Sequence, residues 1–456
     1  LYLVPFSVVI VSASTLFPFI VGKYVFFRTT VALAAIFFIW HWARTRIDTN
    51  KKRIYTDKKS ASIRLNPYKS VLRQPIVIAV SIFALIFIIS GFFGYNPSFS
   101  FWSNFERGEG GLQMIFLLIY FLLLIAVFKD EESWRKMLLA ASWAAVLVVA
   151  YGLGAALGIE WLVGGGLCGR FAGSLGNPAY FGTYMLFAIF YAVYLAVDNW
   201  KTRKKWLWLG LLAIFTIFLL LSQTRGAFLG LGTAIIFGLF YLFFNSSISK
   251  KIRWISLLLA VVLITGGSLA IKFRNSINLS MPFCGQEGMR ILDVSLNAQN
   301  FQTRLWLWEK SIIAFKEKPI FGWGMENFNV AFEKHYDPRF EVWYDRVHNI
   351  FFDYLTMTGI LGLLSFVGIF VVYYWEFFTK NQKSKIPNLK QIQNSNSQTQ
   401  NIIIDALMFS LPIAYLVQGL VLFDVLPVYI NLFLFLAFAT YKFQITSTKL
   451  QINSNE

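Results

Sequence analysis

Uninterrupted apolar stretches of about 20 residues dominate this chain and limit what it can fold into. They fall near 1–20, 24–42, 75–93, 112–128, 134–158, 178–198, 206–222, 226–244, 254–271, 350–375, 402–423 and 428–443. At 1.5 Å per residue, each is long enough to cross ~30 Å of hydrocarbon. Backbone polar groups in hydrocarbon must be satisfied within the protein, so such runs form helices. The composition agrees: 57% of residues are hydrophobic and only 14% charged, where soluble domains carry about 25% charged residues. The predicted fold class is all-α, a polytopic membrane protein with about twelve transmembrane helices and a large exoplasmic loop before the tenth.

The basic residues predict an orientation. A net charge of +18 would point to nucleic acid only as a basic patch on a soluble surface. Here Lys and Arg sit in short loops between apolar runs, which is a topology signal, and no nucleic-acid partner is expected. Residues 43–74 carry ten of them, from Arg44 to Arg73, and read as cytoplasmic. Counting spans makes 129–136, 199–205, 245–253 and 376–401 cytoplasmic too, and each of these loops is basic. Both termini come out cytoplasmic. The segments 94–111, 159–177, the turn at Arg225 and 272–347 come out outside. The expected organisation is helices one to nine over 1–271, an exoplasmic cap over 272–347, helices ten to twelve over 348–443, and a cytoplasmic tail over 444–456. The polar stretch 379–401 reads as a disordered cytoplasmic loop. The chain begins at Leu1 rather than Met, so a few residues are expected to precede it. Its first run lacks the charged region and cleavage site of a signal peptide and reads as a membrane helix.

Within LLLSQTRGAFLGLG, residues 219–232, one arginine interrupts a long apolar run. An arginine at the bilayer centre costs roughly 2.5–3.5 kcal/mol on insertion scales. SQTRG supplies a polar turn, so two helices meet at Arg225. Arg170, Arg225, Arg304 and His348 all fall at or near the predicted outer face. Arginine's planar fork of donors matches phosphate oxygens, so several converging arginines would suit a lipid-linked pyrophosphate. Each also has a plainer reading: Arg225 snorkelling from a helix end, Arg170 as a loop charge, Arg304 paired with Glu309 or another acid. His348 is a candidate base with a pKa near neutrality, or a helix cap together with Asn349. Asp345 and Asp353 are the next candidate bases. His41 reads as interfacial, and His335 has no special context. HExxH, paired-cysteine and phosphate-loop patterns are absent, so neither a metal nor another cofactor is expected. Cys168 and Cys284 both fall in predicted outer loops, where a disulfide between them could persist.

Four blocks then carry a resemblance: RFAGSLGNPAYFGTYML, LSQTRGAFLGL, RLWLWEKSIIAFKEKPIFGWGMENF and VHNIFFDYLTMTGILGLL. In this order, over roughly residues 100–380, they resemble the O-antigen ligase family of bacterial membrane proteins. The more specific features are Arg-x-x-x-Trp with Pro-x-x-Gly-x-Gly, then His-Asn followed by Gly-x-x-Gly. Asn177-Pro178 departs from the Pro-Asn often found in that family. The resemblance implies a metal-independent glycosyltransferase in the bacterial cytoplasmic (inner) membrane, with its active site facing outside. It would move a glycan from undecaprenyl pyrophosphate to a hydroxyl of a lipid or glycan acceptor, with inversion. Carried over, Arg170 and Arg225 match arginines associated with pyrophosphate, Arg304 matches a loop arginine, and His348 matches the histidine proposed to act on the acceptor. The alternative from another class is a transporter or flippase of an anionic solute or lipid-linked sugar. Such proteins place ionisable residues at the midplane on discontinuous helices.

Overall fold

A computed structural model describes residues 1–53, 72–164, 169–273, 299–384 and 395–454. The apolar runs become helices: α1 (Val21–Arg53), α2 (Pro75–Phe92), the short α3 (Pro97–Trp102), α4 (Gly111–Val127), α5 (Glu131–Ala156), α6 (Pro178–Asp198), α7 (Lys205–Leu221), α8 (Arg225–Phe244) and α9 (Lys250–Lys272). Two cap helices follow, α10 (Gln299–Glu317) and α11 (Phe328–Lys334), then α12 (Ile350–Ser384), α13 (Ser395–Gly419) and α14 (Leu426–Ser454). The protein is all-helical and polytopic. Among the described residues, nine helices are long and apolar enough to cross a membrane, and α4 and α7 are shorter apolar helices. The 206–244 run divides between α7 and α8 at SQTRG, as its polar turn predicts.

The first run behaves differently. Residues 1–20 were expected to be a membrane helix, but they form a 3-10 helix at Val4–Val9 followed by turns. Pro5, Ser12, Ser14, Thr15 and Pro18 interrupt the hydrogen-bond ladder that a continuous helix needs. The segment is held from the side instead. Buried Lys23 donates to the Ile10 and Ser174 carbonyls at 2.6 and 2.8 Å, and Ser174 Oγ donates to the Val8 carbonyl at 2.8 Å. Helix also extends over 379–384 and 395–401, the edges of the stretch expected to be disordered, and α14 continues through most of 444–456.

Helices α6 and α14 form the buried centre, while α8 is mostly half-buried and α9 mostly exposed. Aromatic contacts knit the centre together, including Phe190 with Phe435, Tyr194 with Phe438 and Trp134 with Phe438. The Tyr191 hydroxyl donates to Asn431 Oδ1 at 2.7 Å, so these two buried groups partner each other. The connecting loops sort to two ends of the bundle. At one end Lys442 pairs with Glu131, Arg135 pairs with Asp198, and Gln400 reaches the Val197 carbonyl. At the other end Glu109 accepts from the Leu426 N–H at 3.1 Å, and Phe171 N–H donates to the Leu221 carbonyl. Segments that the charge pattern assigns to one side therefore lie together.

Candidate active site

The site is organised by a break in a helix. Within α12, Gly359 has φ +67° and ψ −169°, a backbone state essentially confined to glycine. The break frees carbonyls that a continuous helix would have satisfied. The turn formed by PIFGWG supplies the replacements: Trp323 N–H donates to the Thr356 carbonyl at 2.9 Å and Gly324 N–H to the Met357 carbonyl at 2.8 Å. The Ile360 N–H in turn donates to the Pro319 carbonyl at 2.9 Å, and Ser90 Oγ to the Thr358 carbonyl at 3.2 Å. Gly322 sits directly against Met357 and Gly359, so a side chain there would strike backbone. Pro-x-x-Gly-x-Gly and Gly-x-x-Gly are two halves of one joint.

That joint fixes the approach to α12. Asn349, not His348, is the cap: its Oδ1 accepts from Phe351 N–H at 3.0 Å and Phe352 N–H at 3.3 Å. His348 precedes it in the left-handed region, with φ +57°. Its Nδ1 lies 3.1 Å from the Arg346 carbonyl. A carbonyl only accepts, so Nδ1 carries the hydrogen and Nε2 keeps its lone pair. Burial lowers the His348 pKa to about 4, with the Arg304 and Arg107 charges acting in the same direction and the Arg346 carbonyl opposing them. The imidazole is neutral at ordinary pH.

Arg346 holds that carbonyl in place. Its guanidinium is 2% exposed and pairs with Glu326 at 2.6 Å, Glu109 at 3.0 Å and Asp353 at 3.3 Å. Asp353 also accepts from Val347 N–H at 3.0 Å. Burial pushes Glu109 up to about 8 against the pull of Arg346. Beside this group Arg107 makes a two-pronged bond to Asp345, at 2.7 and 2.9 Å, and donates to the Tyr180 hydroxyl at 3.1 Å. Burial opposes the charge on Asp345, but the bond to Arg107 together with the Arg107 and Arg346 charges outweighs it and holds the carboxyl below its usual range. Both candidate carboxylate bases are thus engaged by arginines. Phe423, from the loop between α13 and α14, packs against His348, Tyr180, Arg107 and Arg346.

The three predicted arginines come together near His348. Arg170 donates to the Ser222 carbonyl at 3.2 Å and to Thr224 Oγ1 at 3.3 Å, which fastens the 169–177 loop to the SQTRG turn. Thr224 Oγ1 donates to the Pro178 carbonyl at 2.8 Å, and Gly182 leaves room for Thr224 and Ala227. Asn177-Pro178 has a local cause: Asn177 caps α6, accepting from Ala179 N–H at 2.8 Å, and Pro178 opens that helix. Arg225 is the first residue of α8, so the positive end of a helix dipole adds to its charge. Arg304, on α10, is half-buried; burial lowers its pKa, and Arg225 and Arg170 are near enough to lower it further. Glu309 pairs instead with Arg339 at 3.6 Å, and among the described residues no acid bonds Arg304.

Residues 209–367 match the family model described as O-antigen ligase. The chain carries an O-antigen ligase family domain. No curated protein matches the chain. The O-antigen ligase match implies an enzyme of surface-polysaccharide ligation or polymerisation embedded in a membrane. It takes in Arg225, Arg304, Arg346 and His348, whereas Arg107, Glu109, Arg170 and Phe423 lie outside it. Sequence reasoning singled out the three arginines and His348 but missed Arg107, Glu109, Arg346 and Phe423. The one available signal was RGEG and DRVH, charges flanking apolar helices in segments predicted to face outside. Cys168 and Cys284 lie outside the described residues, as does their proposed bond.

Proposed function

We propose that the protein transfers a glycan from undecaprenyl pyrophosphate to an acceptor hydroxyl at the outer face of the cytoplasmic membrane. It would act as a ligase or polymerase of surface polysaccharide. The observation that carries this reading is the position of Arg304, within electrostatic reach of Arg225 and Arg170 and also of His348. A cluster of permanent cations suits a pyrophosphate, and the adjacent neutral imidazole suits a hydroxyl about to lose its proton.

In the transfer, the acceptor oxygen forms a bond to the anomeric carbon while the bond from that carbon to the pyrophosphate oxygen breaks. The acceptor proton passes to His348 Nε2, and the bonding electron pair leaves with the pyrophosphate. Arg170, Arg225 and Arg304 stabilise the charge that gathers there without reorganising, which lowers the barrier. Arg346 does not touch the reacting atoms; it positions His348 by holding the carbonyl that fixes its tautomer.

A transporter reading would draw on the broken helix α12, because discontinuous helices mark many ion and solute sites. Here the freed carbonyls are taken by Trp323 and Gly324, and the buried carboxylates by Arg346, which favours a rigid enzyme site. The deciding experiment is reconstitution in vesicles with a lipid-linked oligosaccharide and added acceptor glycans. Glycan appearing on acceptor with matching release of undecaprenyl pyrophosphate is expected. Movement of intact lipid-linked sugar across the bilayer, with no bond broken, would overturn the reading.

A further inference from the structure

A hollow of about 410 Å³ lies in the cap, and it is lined by Phe332, Glu333, Tyr336, Phe340, Glu341 and Trp343 among others. This is within the range of small-ligand sites, roughly 300–1,000 Å³. We propose that this hollow binds a neutral sugar unit of the acceptor glycan, and this rests on the transfer reading above.

The lining has the two features a pyranose ring needs. Tyr336 and Trp343 are 58% and 53% exposed, offering flat apolar faces to the C–H face of a sugar. Carboxylates stand beside them to accept hydroxyl hydrogen bonds. The Trp343 Nε1 donates to Glu333 Oε1 at 3.1 Å, so the indole is held in orientation rather than loose. The turn between them is braced by Asp337, which pairs with Arg339 at 2.7 Å and Lys310 at 3.1 Å. Glu333 and Glu341 make the hollow unfavourable for phosphate, whose place is among the arginines.

The hollow also connects to His348. Its inner wall, Phe332 and Phe340, packs on Tyr344 with ring centroids 5.9 Å away in each case, and Tyr344 packs on His348 at 5.6 Å. In a displacement with inversion, the nucleophile and the leaving group occupy opposite faces of the anomeric carbon. The attacking hydroxyl is placed at His348, so a sugar chain extending from it has the aromatic wall within reach through Tyr344. Exposed Trp and Tyr also occur as membrane-interface anchors; anchors need neither a concave site nor carboxylates within it.

The test is saturation-transfer-difference NMR on the full chain in lipid nanodiscs, which avoids sugar-headed detergents. The probes are methyl glycosides of the common neutral hexoses and N-acetylhexosamines. At least one should receive saturation from the wild type, lose most of it with Trp343→Ala, and regain it with Trp343→Phe, whose ring still stacks. Glu333→Gln should weaken the signal several-fold. Thermal unfolding of each variant checks that the cap remains folded. No saturation of any probe by the wild type, or equal saturation by folded Trp343→Ala, would overturn the proposal. This readout needs no turnover, so its failure is distinguishable from a failure of the vesicle assay.

Discussion

At the scale of single residues, the tautomer and charge of His348 give the sharpest expectations. A base must be unprotonated to accept the acceptor proton, so activity is lost as pH falls through the histidine pKa. With that value lowered to about 4 by burial, transfer should stay level from neutral pH down to roughly one unit above it and fall below, because a protonated fraction of one tenth is reached at that point. A pH–rate profile with a midpoint at 6.5 or above would contradict the buried, neutral imidazole. His348→Gln should retain donor binding yet lose transfer by ~10²–10⁴-fold, the usual worth of a positioned general base. Arg225→Ala should abolish transfer while the protein still inserts, and Arg225→Lys should recover little, because lysine lacks the planar fork. Single-turnover assays with membrane-fraction controls check all three. Arg346→Met removes the cation that pairs with Glu109, Glu326 and Asp353. Breaking a buried ion group this way costs ~3–5 kcal/mol, so a lowered unfolding temperature should accompany lost activity.

At the scale of elements, the decisive feature is the joint between PIFGWG and α12. A continuous helix through 359 would leave the cap turn without its acceptors and would redirect the chain entering at His348. Gly359→Ala places a side chain against the Ile320 backbone at a φ of +67°. The backbone term alone costs ~1–3 kcal/mol, and the clash adds to it. Thermal unfolding in nanodiscs should show a clear drop in midpoint, whereas Gly368→Ala, with open space around it, should leave the midpoint nearly unchanged. Equal behaviour of the two variants would mean that the break is not required. The SQTRG turn works in a related way: Ser222, Thr224 and Gly226 are small, and Arg170 bonds directly to the first two. Arg225 is therefore at a helix start, not stranded in the middle of a span.

At the scale of the whole molecule, hydropathy alone does not rank helices by burial. The central Leu426–Gln444 has a mean hydropathy of 1.5, and the mostly exposed Lys250–Lys272 has 2.2. Lipid tails are as apolar as leucine, so greater hydropathy gives no drive to the centre; packing shape and buried polar pairs do. The orientation inferred from basic loops is testable separately. In a background without Cys168 and Cys284, single cysteines at Tyr55, Arg203 and Asn388 should be protected from an impermeant reagent added outside, and one at Asn300 should be labelled. Labelling in the reverse sense would remove the outer-face assignment and the enzyme reading built on it.

The sequence by itself determined the apolar spans from α1 onward, the helix break at SQTRG, the sorting of loops to two ends, and the four residues that first suggested chemistry. These follow from local costs: burying an unpaired backbone group or a charge in hydrocarbon is expensive wherever it occurs, so runs and interruptions are legible one segment at a time. Residues 1–20 show where that logic stops, because their composition is apolar enough to span but their prolines and hydroxyls favour another backbone. The tertiary structure alone decided that Arg107, Glu109, Arg346 and Phe423 share one site. They come from loops separated by up to hundreds of residues, and a buried charge is tolerable only once its partners have arrived. That condition depends on how the helices pack, which no single stretch of sequence specifies.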